Sequence, residues 1–395
     1  MTTIQLNQDS IGRVLSEDVF DASGRRLLAE GTTITQKSIN ILESRGIHQV
    51  RVEEVKAEEQ KPAEGNKEQQ CLFATWKQRE VPSSLVKICK TQYESHKYDV
   101  FLPLKKHENP TDLTLTVMPS EDIIKKGSLF TLPEVYYHIS RAISSPMSSA
   151  QDIGDAISRD PAFTAKLLQL ANSSLYGFSR KISSIYQAVP IIGNQQLAML
   201  SVGIAFTRSF QGSVLEASSM QNFWKHSIAT AVTAKYLAAK KGYKEKELFF
   251  IGGLLHDIGK LLIYSAIPDS AYILHSLCRS EGKEQQDLER ELLGYDHSFI
   301  GQGYVESHSL PDVMHEMILF HHAPDEAKEP EFARIIHYAD IIANSMKIGS
   351  SGQYYVPVCN SDADTIKNMS DDFFETMRKN INSFTKEMMG ILLID

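Results

Sequence analysis

The most constraining feature of this sequence is a helical pattern of apolar residues that continues almost without interruption from about residue 128. In the segment AFTAKLLQLAN, Phe163, Leu167 and Leu170 recur at spacings of four and three, which places them on one helix face. Similar patterns follow to the end of the 395-residue chain. The spacing predicts a mainly α protein with an all-helical domain over 125–395.

Helix starts and ends divide this region into separate helices. Asp160 followed by Pro161 is an N-cap residue and a first-turn proline. Thr131 with Glu134 has the spacing of a capping box. Two helices are expected within 183–210, and further helices near 223–241, 246–265, 285–307, 312–322, 331–347 and 362–393.

The first 53 residues predict a separate small module. Two apolar segments flank the turn sequence Asp21-Ala22-Ser23-Gly24, a pattern that favours a β-hairpin. A short helix over 35–42 and a returning strand over 48–52 complete the pattern. We therefore expect a ββαβ module over 1–53.

The next two segments are predicted to connect this module to the helical domain. Residues 54–70 contain no large apolar residue after Val55 and many carboxylates, so they cannot offset the entropy of ordering and predict a flexible acidic linker. Residues 71–124 have no clear motif and predict only a connecting region.

Charge and composition exclude several classes of function. Lys and Arg number 41 and Asp and Glu 49, which gives a net charge of −8 and argues against a surface for bulk nucleic acid. The longest apolar run, 197–206, is about half of a membrane span, and the N-terminus has no signal pattern. The four cysteines lie far apart without metal-site spacing. We expect a cytoplasmic protein with reduced thiols and no membrane insertion.

Histidines and aspartates interrupt the apolar helix faces. Of the 13 histidines, eight fall between Leu255 and Asp340. His256 and Asp257 end the apolar run FFIGGLL, and such polar residues are costly in an apolar helix unless they are hydrogen-bonded or bind a metal. The candidate metal ligands, most of which lie on or beside apolar helix faces, are His226, His256, Asp257, His297, His321, His322 and Asp340.

Imidazole and carboxylate groups in this pattern are the ligands of a divalent transition metal. Asp257 could bridge two ions that activate a shared hydroxide for phosphodiester hydrolysis. Lys260, one turn after His256, could meet a phosphate oxygen. Asp257 and Lys260 are therefore the candidate catalytic residues. The alternative is that each histidine is an ordinary hydrogen-bonded core residue, but their joint occurrence favours a metal-site architecture.

Several motifs in the same order carry a family resemblance. FTLPEVYYHISRAI, DIGDAISRDPAFTAKLLQLANSSLYG and ISSIYQAVPIIG, followed by FWKHS, GGLLHDIGKL and ILFHHAP, resemble the HDOD domain, a bacterial signalling relative of the HD-type phosphohydrolases. The resemblance covers about 125–345. It implies an all-helical fold and a regulatory role, because most such domains are thought to have lost catalysis. Residues 4–53 more loosely resemble small domains found ahead of HD-type signalling domains.

The candidate ligands also resemble those of the HD-GYP cyclic-di-GMP phosphodiesterases, with Lys260 completing the HDxGK motif. The sequence departs from those enzymes after His321-His322, where Ala323-Pro324-Asp325 follows instead of an acidic residue and a Gly-Tyr-Pro motif. Asn222 also stands where some of those enzymes use a carboxylate. The resemblance therefore extends to the ligand positions and not to the substrate-recognition segment.

Two functions are compatible with these features. In the first, the chain is a cytoplasmic signalling protein whose HDOD domain is a regulatory or protein-interaction module for unidentified signalling partners. One or two divalent ions (iron, manganese or similar), and a nucleotide or cyclic dinucleotide, are candidate ligands. In the second, it is a metal-dependent phosphohydrolase acting on a cyclic dinucleotide or nucleotide phosphoester. The expected ligands are then His226, His256, Asp257 and Asp340 for one metal, and His297, His321 and His322 for the other. A purely structural scaffold would leave the buried polar set unexplained.

Overall fold

The structure is a computed structural model, and the chain divides into two compact units, Met1–Glu68 and Gln69–Asp395. The residues that the structure describes are 2–5, 15–20, 26–29, 32, 34, 42, 45–52, 81–83, 85–87, 113–127, 130, 132–145, 147–210, 217–281, 283–353, 357–361 and 365–393. The predicted linker over 54–70 lies outside them.

Short antiparallel strands form the described part of the first unit. Strand β1 (Thr2–Gln5) pairs with β4 (Gln49–Val52), and β2 (Val19–Phe20) pairs with β3 (Arg26–Leu28). The β2–β3 pair is the expected hairpin, and β4 is the expected returning strand. Strand β1 was not part of the predicted ββαβ pattern. Its four residues have no turn signal beside them, so the sequence did not indicate that they pair with the distant β4. Most of the predicted helix over 35–42 lies outside the described residues.

The second unit is helical, as the sequence pattern predicts. Its described residues form fifteen α-helices: α1 (Ser120–Gly127), α2 (Glu134–Ser144), α3 (Ala150–Ser158), α4 (Pro161–Ala171), α5 (Ile185–Ile192), α6 (Asn194–Ser209), α7 (Ala217–Lys240), α8 (Lys246–Leu255), α9 (Ile258–Ala266), α10 (Pro268–Glu281), α11 (Gln285–Leu293), α12 (His297–Ser307), α13 (Asp312–Leu319), α14 (Pro330–Ser345) and α15 (Asp371–Leu392).

The two predicted helix starts had different outcomes. Asp160 caps α4 by accepting a hydrogen bond from the backbone N–H of Phe163 at 2.9 Å, with Pro161 in the first turn, as expected. The predicted capping box involves Thr131, which lies outside the described residues. Pro133 occupies the N-cap position of α2, and no side-chain hydrogen bond caps that helix.

Two helices that the periodicity predicts as continuous are each broken in two. The helix expected over 246–265 ends at Leu255 and restarts at Ile258, with His256 and Asp257 between. The helix expected over 285–307 ends at Gly294, which has the left-handed φ of 84°, and α12 begins after Asp296. The apolar periodicity continues across both breaks, which is why the sequence pattern alone did not reveal them.

Part of the predicted connecting region packs on the helical unit. Val81 and Leu85 belong to the same buried core as the helices. The backbone N–H of Thr116 donates to the Ser270 hydroxyl at 2.8 Å. Helix α1 spans residue 125, where the sequence predicts that the helical domain begins. That domain boundary stays a prediction.

One described stretch, Lys246–Ala266, is long and apolar enough to cross a membrane by composition. The bent pair Ile185–Ile192 and Asn194–Ser209, which meet at 119°, passes the same test when the two are taken together. Core helices often meet this criterion. Of the most apolar window in Lys246–Ala266, 89% is buried inside the protein, as in a core helix.

The centre of the helical unit depends on close approaches between backbones. Helix α7 packs against α8, α14 and α15, and α9 packs against α12. At Gly253, a Cβ atom would lie 2.8 Å from the Cα of Ala231 in α7. At Gly259, a Cβ atom would collide with the carbonyl oxygen of His297. Only glycine allows these helices to approach so closely.

We expect Gly259→Ala to lower the free energy of unfolding by about 3 kcal/mol, because the added methyl group would displace backbone that cannot rotate away. Gly390→Ala is the matched control. No atom lies within 4 Å of a Cβ built at Gly390, so this change should be neutral or raise stability by up to about 1 kcal/mol. Denaturant titration of both variants measures the difference. Equal stability of Gly259→Ala and wild type would contradict the close approach.

Candidate metal centre

The seven candidate ligands come from five places in the helical unit. His226 lies within α7 and Asp340 within α14, whereas the other five lie at helix ends. His256 and Asp257 occupy the break between α8 and α9, His297 is the first residue of α12, and His321-His322 follows α13. The helix breaks therefore place most of these side chains. Each of the seven residues is at most 6% exposed.

The structure brings all seven side chains together in two adjacent groups. Within each group the potential ligand atoms lie within 4.8 Å of one another. The first group is Asp257, His297, His321 and His322, and the second is His226, His256 and Asp340.

The Asp257 carboxylate lies between the two groups. Its Oδ1 is 3.3 Å from His297 Nε2 and 3.7 Å from His321 Nε2. Its Oδ2 is 3.2 Å from His256 Nε2 and 3.8 Å from His226 Nε2. Each oxygen thus faces a different group, which is the arrangement of a carboxylate that could bridge two ions.

Asp340 supplies the carboxylate of the second group. Its Oδ1 is 3.0 Å from His226 Nε2 and 3.4 Å from His256 Nε2. The side-chain amide of Asn344 donates to the same oxygen at 2.8 Å. This bond, one helical turn further along α14, holds the carboxylate towards the two imidazoles.

Backbone carbonyls orient two of the imidazole rings. His256 Nδ1 lies 2.8 Å from the Gly253 carbonyl oxygen, and His321 Nδ1 lies 2.7 Å from that of Ile318. A carbonyl oxygen only accepts hydrogen bonds, so Nδ1 carries a proton in both rings and Nε2 faces the centre. This is the usual orientation of a metal-binding histidine.

Several buried atoms in the centre have no hydrogen-bond partner, although charged groups lie close to them. Among the described residues these atoms include His226 Nε2, His256 Nε2, His321 Nε2 and Asp257 Oδ1. Buried polar atoms without partners are costly, and a cation in each of the two groups would give these four atoms a partner. Imidazole nitrogen and carboxylate oxygen suit iron, manganese or zinc. The residues present therefore fit a divalent metal ion.

The charges of the metal-free centre are strongly coupled. Burial would raise the pKa of Asp257, but His256 and Lys260 hold it well below its usual value. Burial disfavours a charged His256, but the carboxylates of Asp257 and Asp340 outweigh this effect and raise its pKa to about 10. Burial, together with the charge of His256, lowers the pKa of His321 to about 3. The metal-free centre thus holds protons that a metal ion would displace.

A short loop, residues 349–352 with the sequence Gly-Ser-Ser-Gly, lies against the centre, and we call it the strap. The backbone N–H of Ser350 donates to the Asn222 carbonyl at 3.1 Å. Lys260 Nζ donates to the Ser351 hydroxyl at 3.2 Å and to Asp257 Oδ2 at 2.9 Å. Lys260, the residue predicted to meet a phosphate, is therefore already engaged by protein groups.

Sequence reasoning missed the residues that support the His321-His322 pair. His337 Nδ1 donates to the His321 carbonyl at 2.7 Å, and His337 Nε2 accepts from the Asn360 backbone N–H at 3.1 Å. The Asn360 amide donates to the His322 carbonyl at 3.1 Å. His337 is one of the eight histidines counted between Leu255 and Asp340, but it was not among the candidate ligands. Asn360 gave no sequence signal because it acts only through a tertiary contact.

Solved structures share this fold. A candidate phosphohydrolase from Shewanella amazonensis SB2B is 23% identical, with a TM-score of 0.55 over 71% of this chain and 100% of that chain. An HDOD domain protein of unknown function from Geobacter sulfurreducens is 21% identical, with a TM-score of 0.55 over 69% of this chain and 99% of that one. A candidate signal transduction protein from Marinobacter aquaeolei VT8 is 18% identical, with a TM-score of 0.51 over 72% of this chain and 68% of that one.

Sequence comparison identifies the family. An uncharacterized protein from Treponema pallidum is 29% identical over 204 residues, which are 50% of this chain and 39% of that protein. The chain thus spans about two fifths of the length of this curated relative. Residues 129–324 match the HDOD domain, which includes every candidate ligand except Asp340. The chain therefore contains an HDOD domain over residues 129–324.

Proposed function

We propose that this chain is a signal-transduction protein whose HDOD domain is a regulatory module built around one or two divalent metal ions. The observation that carries the proposal is the convergence of seven candidate ligands, each at most 6% exposed. The HDOD match and the fold shared with a candidate signal transduction protein support it. The proposal includes a cytoplasmic location, where the buried thiols of Cys278 and Cys359 would stay reduced.

The burial of the centre favours regulation over turnover. An ion can reach ligands that a nucleotide cannot, because a substrate phosphate must contact both the metal and a cation such as Lys260. Lys260 Nζ donates hydrogen bonds to Asp257 and Ser351. Ser351 is itself only 1% exposed, so a substrate phosphate could not reach Lys260 without displacing it. In this arrangement a bound ion would stabilise the folded domain by mass action and so control what the domain binds. The partner would be another signalling protein.

A metal-dependent phosphohydrolase is the second candidate function. The observation that favours it is the placement of the two Asp257 oxygens, one towards each ligand group. Two ions held in this way supply an activated hydroxide for phosphodiester hydrolysis. Lys260 would orient the phosphate after its hydrogen bond to Ser351 breaks. The strap would also have to move to admit a cyclic dinucleotide or nucleotide phosphoester. The sequence assigns Asp257 to the ion of His226, His256 and Asp340, whereas the structure groups it with His297, His321 and His322. Asp257 would therefore serve both ions, as a bridging carboxylate.

We expect one to two equivalents of iron, manganese or a similar metal in protein purified without a chelator or a histidine tag. Asp257→Asn should lose most of this metal, because both groups share that carboxylate. Glu247→Gln is the matched control, since Glu247 is also buried but pairs with Lys235 at 3.3 Å. Elemental analysis measures the content. Wild-type protein that stays metal-free after incubation with these ions would disprove the metal centre.

Metal affinity should rise with pH between 6 and 9. Burial opposes protonation of His297, but the Glu289 carboxylate outweighs it and raises the pKa to about 9, as the carboxylates do for His256 at about 10. Each proton displaced by the metal should make the affinity rise about tenfold per pH unit. Calorimetric titration in buffers of different ionisation enthalpy counts the released protons.

The raised pKa values of His256 and His297 also make the stability of the metal-free protein depend on pH. Both folded values lie above the unfolded value of about 6.5, so their stabilising contribution is fully present below pH 6.5. It is lost as the pH rises towards 9 and 10. Thermal unfolding in a chelator should therefore show this contribution falling over that range. Metal affinity that does not change with pH would contradict both expectations.

Metal-loaded wild-type protein should hydrolyse cyclic dinucleotides and nucleotide phosphoesters no faster than buffer, because the centre is closed. Ser351→Gly, which removes the hydroxyl from Lys260, should leave that result unchanged. Chromatographic assay of the products decides the question. Hydrolysis that Asp257→Asn abolishes and Glu247→Gln retains would replace the regulatory proposal with the phosphohydrolase.

A further inference from the structure

A buried carboxylate outside the candidate ligand set contacts one of the ligands directly. Glu289, in α11, is 0% exposed. Its Oε2 accepts two hydrogen bonds from His297, one from Nδ1 at 2.6 Å and one from the backbone N–H at 2.8 Å. His256 and His321 instead donate from Nδ1 to carbonyls in the last turn of the helix that precedes each of them. His297, at the first position of α12, has no preceding helical turn to supply such an acceptor.

A third hydrogen bond fixes the Glu289 carboxylate. The side-chain amide of Gln285, one helical turn earlier, donates to Oε1 at 2.6 Å. In the described part of the chain, the ion pair of Glu289 is with His297 and involves no lysine or arginine. A buried charge is costly unless it is paired and hydrogen-bonded. The Gln285 amide and the two N–H groups of His297 therefore fix the orientation of the Glu289 carboxylate, with Oε2 towards His297.

The contact determines which nitrogen of His297 faces the centre. An ionised carboxylate only accepts hydrogen bonds, so Nδ1 carries a proton. Nε2 then lies 3.3 Å from Asp257 Oδ1 and 3.0 Å from His322 Nε2. A charged acceptor on the far side of the ring also increases the basicity of Nε2 as a ligand.

We propose that Glu289 is a positioning residue of the metal centre, which holds the ring and tautomer of His297 so that Nε2 binds the ion of the Asp257 group. This inference rests on the proposed metal centre. The same hydrogen-bond chain continues from Gln285 to the Tyr264 hydroxyl at 3.0 Å, and from there to the Ser351 carbonyl at 3.1 Å. Glu289 therefore links a ligand of the centre to the strap.

Two variants and one control test the role of Glu289. Glu289→Gln keeps the shape and removes the charge, and Glu289→Ala also removes the acceptor for His297. Mn²⁺ affinity, measured by competition with a chelator, should fall about 10-fold in Glu289→Gln and up to about 100-fold in Glu289→Ala. Glu247→Gln removes another buried carboxylate and should change the affinity less than threefold. If the protein binds two equivalents of Mn²⁺, we expect the affinity to fall for only one of them, the ion bound by the Asp257 group.

A spectroscopic measurement on wild-type protein tests the tautomer without any variant at position 289. In the Zn²⁺-loaded protein labelled with ¹⁵N-histidine, the His297 ring should show a proton on Nδ1 and a Zn²⁺-dependent shift of Nε2. The His297→Gln spectrum assigns the signal. A proton on Nε2, or no response of His297 to Zn²⁺, would overturn the proposal.

The outcomes separate this inference from the proposed function. Wild-type protein that binds no metal disproves both the centre and the positioning role. Wild-type protein that binds metal, together with Glu289→Gln and Glu289→Ala that bind it as tightly as Glu247→Gln, disproves the positioning role alone. If Glu289→Ala does not fold, the isosteric Glu289→Gln and the wild-type Zn²⁺ spectrum still decide the result.

Discussion

The burial of the Asp257 carboxylate is the constraint on which the helical unit depends. A carboxylate that is 1% exposed needs compensating charge and hydrogen bonds, because its removal from water is costly. Lys260 supplies one direct partner at 2.9 Å. The neighbouring His256 and histidines from three other segments surround the two oxygens. Segments distant in the sequence are thus drawn to one point, and a divalent ion there would satisfy the remaining polar atoms.

Helix ends, rather than helix faces, position most of this centre. The break between α8 and α9 turns His256 and Asp257 inward, and the start of α12 presents His297. Gly259 permits this arrangement because any side chain there would collide with the His297 carbonyl. Packing and chemistry are therefore coupled, since the close approach of α9 to α12 also sets the 3.3 Å separation of Asp257 and His297.

The candidate centre combines seven potential metal ligands with almost complete burial. Ser351 engages Lys260, and the Tyr264 hydroxyl holds the Ser351 carbonyl. The hydrogen bonds from Glu289 through Gln285 and Tyr264 reach the same loop. Under the proposed function, a change in metal occupancy would therefore act on a loop at the border of the centre. Through this connection the domain proposed here would report whether the centre holds a metal ion.

The sequence by itself determined the helical class, the Asp160 cap and the identity of the seven converging side chains. These follow from local rules, since apolar periodicity and polar interruptions can be read along one segment. Only the tertiary structure decided the break at His256, the two ligand groups and the contact of Glu289 with His297. The physical reason is that a buried polar group takes its partners from whichever segments pack against it, and no local pattern encodes those partners.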